Sequence, residues 1–117
     1  MDEQPDSKGG VSVKKIELSK DWVCDGKTLK RKVNPTQSTS WVFDGRYLKP
    51  CMNATLSNTW EYDGRYLKPR MNATMSNSWE KVGMTLRPRM NPRQDTTYDM
   101  NGHQILVAFG QLVLALW

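Results

Sequence analysis

The chain has 117 residues, enough for one modest hydrophobic core and too few for two. Charged residues make up 25% and hydrophobic ones 38%, a globular composition with little apolar surface to spare. The formal charge is +5, but residues 22–97 hold thirteen Lys or Arg against six Asp or Glu, so the positive charge belongs to one region and favours an anionic partner.

The opening MDEQPDSKGG is acidic and polar, without the basic end and apolar stretch of a secretory signal. Residues 1–17 show no periodicity and read as a mobile tail, although KKIELSK has the makings of a short edge strand. Cys24 and Cys51 fall at non-equivalent positions of the repeat described next, so they form no disulfide framework. Together these features predict a reducing, cytoplasmic setting.

From residue 22 onward the chain repeats itself every nineteen residues. Trp22, Trp41, Trp60, Trp79 and Tyr98 keep this count, as do Gly26, Gly45, Gly64, Gly83 and Gly102. Leu29, Leu48, Leu67, Leu86 and Ile105 keep it too, as do Asn34, Asn53, Asn72 and Asn91. Repetition of this kind implies one supersecondary unit per copy, each burying its neighbour's apolar face. The unit reads as a β-hairpin, because Asp63-Gly64 lies between two short aromatic and apolar runs. With Asp63 and Gly64 as the two turn residues, Tyr62 faces Arg65, Glu61 faces Tyr66 and Trp60 faces Leu67. Trp60, Tyr62 and Leu67 then share an inner face, and Glu61, Tyr66 and Lys68 an outer one. Pro69, lacking an N–H, can end the ladder or sit at an edge, and RMNATMSNS carries the chain onward. Arg31 and Val82 replace the proline and the turn aspartate in copies one and four, as in repeats that cap rather than stack.

The fifth copy runs into LVAFGQLVLALW. The apolar segment 105–117 has thirteen residues, interrupted by Gly110 and Gln111, against about 20 needed to span a bilayer. Its Leu, Ala, Phe and Gln predict a helix filling the concavity of a curled sheet, with a last pair of strands as the alternative. The expected fold is therefore all-β: residues 18–117 form a single repeat domain of about five antiparallel hairpins, curled into a barrel-like or solenoid-like sheet around the apolar C-terminus.

The motif WxYDGRYLKPxxNATxSNT and its apolar end resemble a group of small uncharacterised bacterial proteins with tandem WxxDGKxLKP copies and SNT connectors. That resemblance covers residues 22–117 and implies the fold class and a bacterial origin. More loosely, the units look like the choline- and glucan-binding hairpin repeats of cell-wall-binding proteins. By that likeness Trp41, Trp60 and Trp79, with Met52 or Met71, would line cages for a quaternary ammonium or a sugar.

His103 takes the turn position of Lys27, Arg46 and Arg65 and reads as a solvated turn residue. The sequence shows no metal-ligand spacing, cofactor motif or nucleophile paired with a base, which points away from an enzyme. Asp25, Asp44 and Asp63 read as turn formers, and the Asn of NAT as satisfying connector backbone groups. Trp22, Trp41, Trp60 and Trp79, with Leu29, Leu48, Leu67 and Leu86, are expected to be core. The candidate binding residues are the outer-face ladder Lys30, Lys49, Lys68 and Arg87, joined by Arg70 and Arg89, with Tyr47 and Tyr66 available to stack. The resulting expectation is a non-enzymatic protein presenting a repeated basic surface to a nucleic acid or another polyanion. The alternatives are a glycan- or choline-binding module, and a scaffold that pairs with a protein or with itself.

Overall fold

A computed structural model describes residues 13–117. Within it ten strands form one sheet, in which successive strands of the repeats are neighbours and the N-terminal strand lies beside the last. Four hairpins make most of it: β2 (Trp22–Cys24) with β3 (Thr28–Arg31), β4 (Trp41–Phe43) with β5 (Tyr47–Pro50), β6 (Trp60–Tyr62) with β7 (Tyr66–Pro69), and β8 (Trp79–Val82) with β9 (Thr85–Pro88). The fifth copy keeps one strand, β10 (Tyr98–Asp99), and then turns into the helix α1 (Ile105–Ala108), which continues as a π-helical turn over Phe109–Val113.

The hairpin register differs from the sequence expectation. Trp60 pairs with Pro69, Glu61 with Lys68 and Tyr62 with Leu67. The two central turn residues are therefore Gly64 and Arg65, one position further on. The Asp63 carboxylate accepts from the backbone N–H of Arg65 at 2.9 Å and of Tyr66 at 2.8 Å, which fixes Asp63 as the first residue of the turn. Gly64 takes φ +99°, and the positive φ at the first central position alone is the II′ requirement. The slip is by two residues, an even number, so the expected division into faces survives.

Each hairpin is also offset from the last. Trp41 pairs with Pro50, while Leu48 pairs with Trp60, so a level line drawn from Trp41 reaches residue 58, two short of its equivalent Trp60. Two residues of stagger per two strands, about 6.8 Å along against about 9.6 Å across, tilts the strands by about 35°, as in a small barrel wall. Equivalent side chains of successive hairpins are consequently about 12 Å apart.

The wall stays open between β1 (Lys14–Lys15) and β2. β1 pairs in parallel with β10, and Ile16 beyond it is fully buried. Residues 14–16 thus join the sheet's edge, where the KKIELSK run allowed a short strand; a buried isoleucine after two exposed lysines carries no periodic signal. The remainder of the expected tail, 1–12, lies outside the described residues. The Trp117 indole bridges the opening, donating to the Glu17 carbonyl at 2.6 Å and lying 6.0 Å from the Trp22 ring.

The C-terminal segment is helical and packs on the inner face. Phe109 is fully buried, its ring edge-on to Trp41 at 5.9 Å and Trp60 at 6.0 Å. Leu29, Leu48, Leu67 and Leu86 are completely buried beside it and Trp22 nearly so, while Trp41, Trp60 and Trp79 are half-buried against the same cluster. Gly110 allows this approach, since a Cβ there would meet a Leu29 methyl at 2.7 Å and the Trp117 ring at 2.9 Å.

The connectors follow one plan. Asn53 and Asn72 adopt φ +62° and +60°, so their contribution is the left-handed bend rather than the expected backbone satisfaction. That second role falls to Asn58 and Asn77, which donate to the Asn53 and Asn72 carbonyls at 3.2 and 3.1 Å. Thr55 and Asn58 cap the short 3-10 turn Leu56–Asn58 reciprocally. Ser40, Thr59 and Ser78, just before each tryptophan, are buried and return their hydroxyl protons to the Thr36, Thr55 and Thr74 carbonyls.

Candidate binding surface

Alternation along each strand puts Tyr47 and Lys49 of β5, and Tyr66 and Lys68 of β7, on the outer face. The register sets Glu61 beside both Tyr47 and Lys68, and Glu80 beside both Tyr66 and Arg87. These glutamates are largely covered, because the turn arginine of the preceding hairpin reaches across to each. Arg46 Nε lies 2.7 Å from Glu61, and Arg65 bonds Glu80 at 3.0 Å. The hydrogen bond to glutamate raises both guanidinium pKa values further above their already high range.

The ladder cations have acids of their own. Lys49 sits 3.8 Å from Asp44, and Arg87 lies 3.7 Å from Glu80. Lys30 and Lys68 act on Asp25 and Asp63 through charge, which adds to a larger effect from the turn N–H groups and lowers those carboxyl pKa values. The outer face is therefore a lattice of both signs wherever Glu61 and Glu80 are present. Its first hairpins differ, carrying Val23 opposite Lys30 and Val42 opposite Lys49.

Arg70 and Arg89 are arranged differently. Each begins a connector, and each guanidinium lies 4.3 Å from the ring centre of a tyrosine one hairpin back, Arg70 on Tyr47 and Arg89 on Tyr66. Arg46 and Arg65 approach the same two rings at 5.3 and 5.1 Å. Tyr47 and Tyr66 are thus already stacked, and the expectation that their faces await a base gives way to a seat for arginine. Among the described residues no carboxylate lies within ion-pair distance of Arg70 or Arg89. The pairing follows the sequence: in the first copy Thr28 stands in place of the tyrosine and Cys51, at the same interval, in place of the arginine.

The expected tryptophan cages do not form on this surface, since Trp41 and Trp60 face Phe109, Trp79 meets Tyr98 at 6.3 Å, and Met52 and Met71 project from the connectors. The aromatics that approach each other at the turn end are Phe43 and Tyr62, 6.3 Å apart. They line an open groove of about 810 Å³ with Arg46, Glu61, Asp63 and Lys68. His103 lies in the turn that follows β10, its N–H donating to the Met100 carbonyl. Cys24 and Cys51 are both free thiols, with burial pushing the Cys24 pKa up. No group of His, Cys, Asp or Glu among the described residues could hold a metal ion. No helix among them is long and apolar enough to cross a membrane. The chain matches no known family model, curated protein or solved structure.

Proposed function

We propose that this chain is a non-enzymatic binding protein of the bacterial cytoplasm that lays its outer face against an anionic macromolecule such as RNA. Arg70 and Arg89 carry the reading. Each lies over a tyrosine ring and, among the described residues, has no carboxylate within ion-pair distance, so its N–H groups are preorganised for phosphate at little further entropic cost. Lys30 and Lys49, opposite valines rather than glutamates, add positive charge to the same face.

The test is a titration with a labelled mixed-sequence RNA oligomer at several salt concentrations. Wild-type affinity falls linearly on a log–log plot, and Arg70→Ala with Arg89→Ala shallows the slope by about 0.7 for each phosphate that the variant no longer neutralises. Absent or salt-insensitive binding overturns the proposal. The Phe43/Tyr62 groove favours a second reading, capture of a small glycan or amine. Salt-insensitive binding that Phe43→Ala abolishes would select it instead.

A further inference from the structure

Six of the nine large apolar side chains left exposed among the described residues stand on the connectors: Val33, Met52, Leu56, Met71, Met75 and Met90. Val33, Met52, Met71 and Met90 are one repeat apart, as are Leu56 and Met75, so they form two rows along one rim of the sheet. Like residues in a row are about 12 Å apart. Leu56 and Met75 are 52% and 51% exposed, a costly way to place such side chains in water unless something covers them.

The surroundings indicate what covers them. Lys32, Arg70, Arg89 and Arg93 flank the rows, and the only carboxylate on the connectors, Asp95, is paired with Arg93 at 3.2 Å. The rim is thus apolar at its tips and cationic at its base. Between the tips lie Asn, Ser and Thr whose hydrogen bonds close within the connector, so the backbone can enter a headgroup layer with fewer groups left unpaired. A helix or folded partner would need knobs matched to separate tips about 12 Å apart, whereas fluid acyl chains fill such gaps without matching. We infer that the connector rim docks on an anionic lipid bilayer, inserting its Met and Leu tips into the interface while Lys and Arg meet the headgroups. Docking at the rim does not require the outer face to hold RNA.

Co-sedimentation with vesicles at near-physiological salt tests the inference. Phosphatidylcholine vesicles containing phosphatidylserine are compared with phosphatidylcholine alone, using Met52→Ser/Met71→Ser and, separately, Leu56→Ser/Met75→Ser. These side chains are exposed, so both variants should melt with the wild type. Wild type pellets with the anionic vesicles and much less with the neutral ones, and each double variant lowers partition at least about tenfold. RNA affinity in both variants stays at the wild-type value, which separates the rim from the arginine seats. Three results each overturn the inference: wild type left in the supernatant, serine variants pelleting like wild type, or an acidic amphipathic peptide taken up at the rim while vesicles are ignored.

Discussion

Phe109→Ala tests the architecture most directly, because one ring joins the C-terminal helix to two different hairpins. Phe109 is fully buried and meets Trp41 and Trp60 at interplanar angles of 72° and 63°. Truncating a buried Phe to Ala costs about 3–5 kcal/mol. Here two edge-to-face contacts, each worth about 0.5–1.5 kcal/mol beyond burial, disappear together, which places the loss in the upper half of that range. At about 4 °C per kcal/mol for a chain of this size, the midpoint should fall by about 16–20 °C. Thermal unfolding followed by tryptophan emission reads both consequences, since Trp41 and Trp60 gain water as the ring is lost. Leu112→Ala, on the half-buried side of the same segment, should cost clearly less. A loss below about 1.5 kcal/mol for Phe109→Ala, with unchanged emission, would refute the idea that the helix supplies the inner core of the sheet.

Gly110→Ala forces a methyl against Leu29 and Trp117, so it should destabilise by about 1–3 kcal/mol in the same assay, despite alanine's better helix propensity. A double-mutant cycle on Arg89→Ala and Tyr66→Leu should return a coupling of about 0.5–1 kcal/mol, as for an exposed cation–π pair, and the Cys51/Thr28 positions should return none. Turn N–H groups, more than Lys49 and Lys68, hold the Asp44 and Asp63 carboxyls below the ordinary aspartate value of about 3.9. Their stabilisation is thus complete above that value and drains away as pH falls through the depressed folded-state pKa. Asp44→Asn and Asp63→Asn remove the charge that carries this contribution, so an acid titration should show stability lowered at neutral pH, a shallower acid limb and convergence on the wild type at low pH.

The nineteen-residue count makes the hairpins, their faces and the buried leucines legible, because a fixed period exposes every equivalent position at once. The turn lies one residue beyond the sequence expectation. Asp-Gly reads as a central pair, whereas a carboxylate that accepts from two following N–H groups belongs at the turn's first position. Ser40, Thr59 and Ser78 keep the count openly, but a hydroxyl's inward direction is set by the connector bend, which periodicity does not report. β1 is nearly silent, since its partner β10 is over eighty residues away in sequence and no repeat announces it. The Arg–Tyr seats do have a signal. Tyr47 and Arg70 are twenty-three residues apart, Tyr66 and Arg89 likewise, and Thr28 with Cys51 shows both partners missing together.

The arginine pairings also bear on why copies two and three are nearly identical at exposed positions. Arg46 and Arg65 each hold the next hairpin's glutamate, and Arg70 and Arg89 each sit on the previous hairpin's tyrosine. Neighbour packing thus gives the arginines at those sites a structural role beside any ligand. Met52 and Met71 are different: they are 43% and 42% exposed and lie outside the hydrophobic core cluster. Leu56 and Met75 share that condition, with a leucine and a methionine at one position preserving apolarity rather than identity. The fold does not explain this exposed apolar row, whereas the bilayer docking inferred above would, and that directs the first experiment to the connector rim.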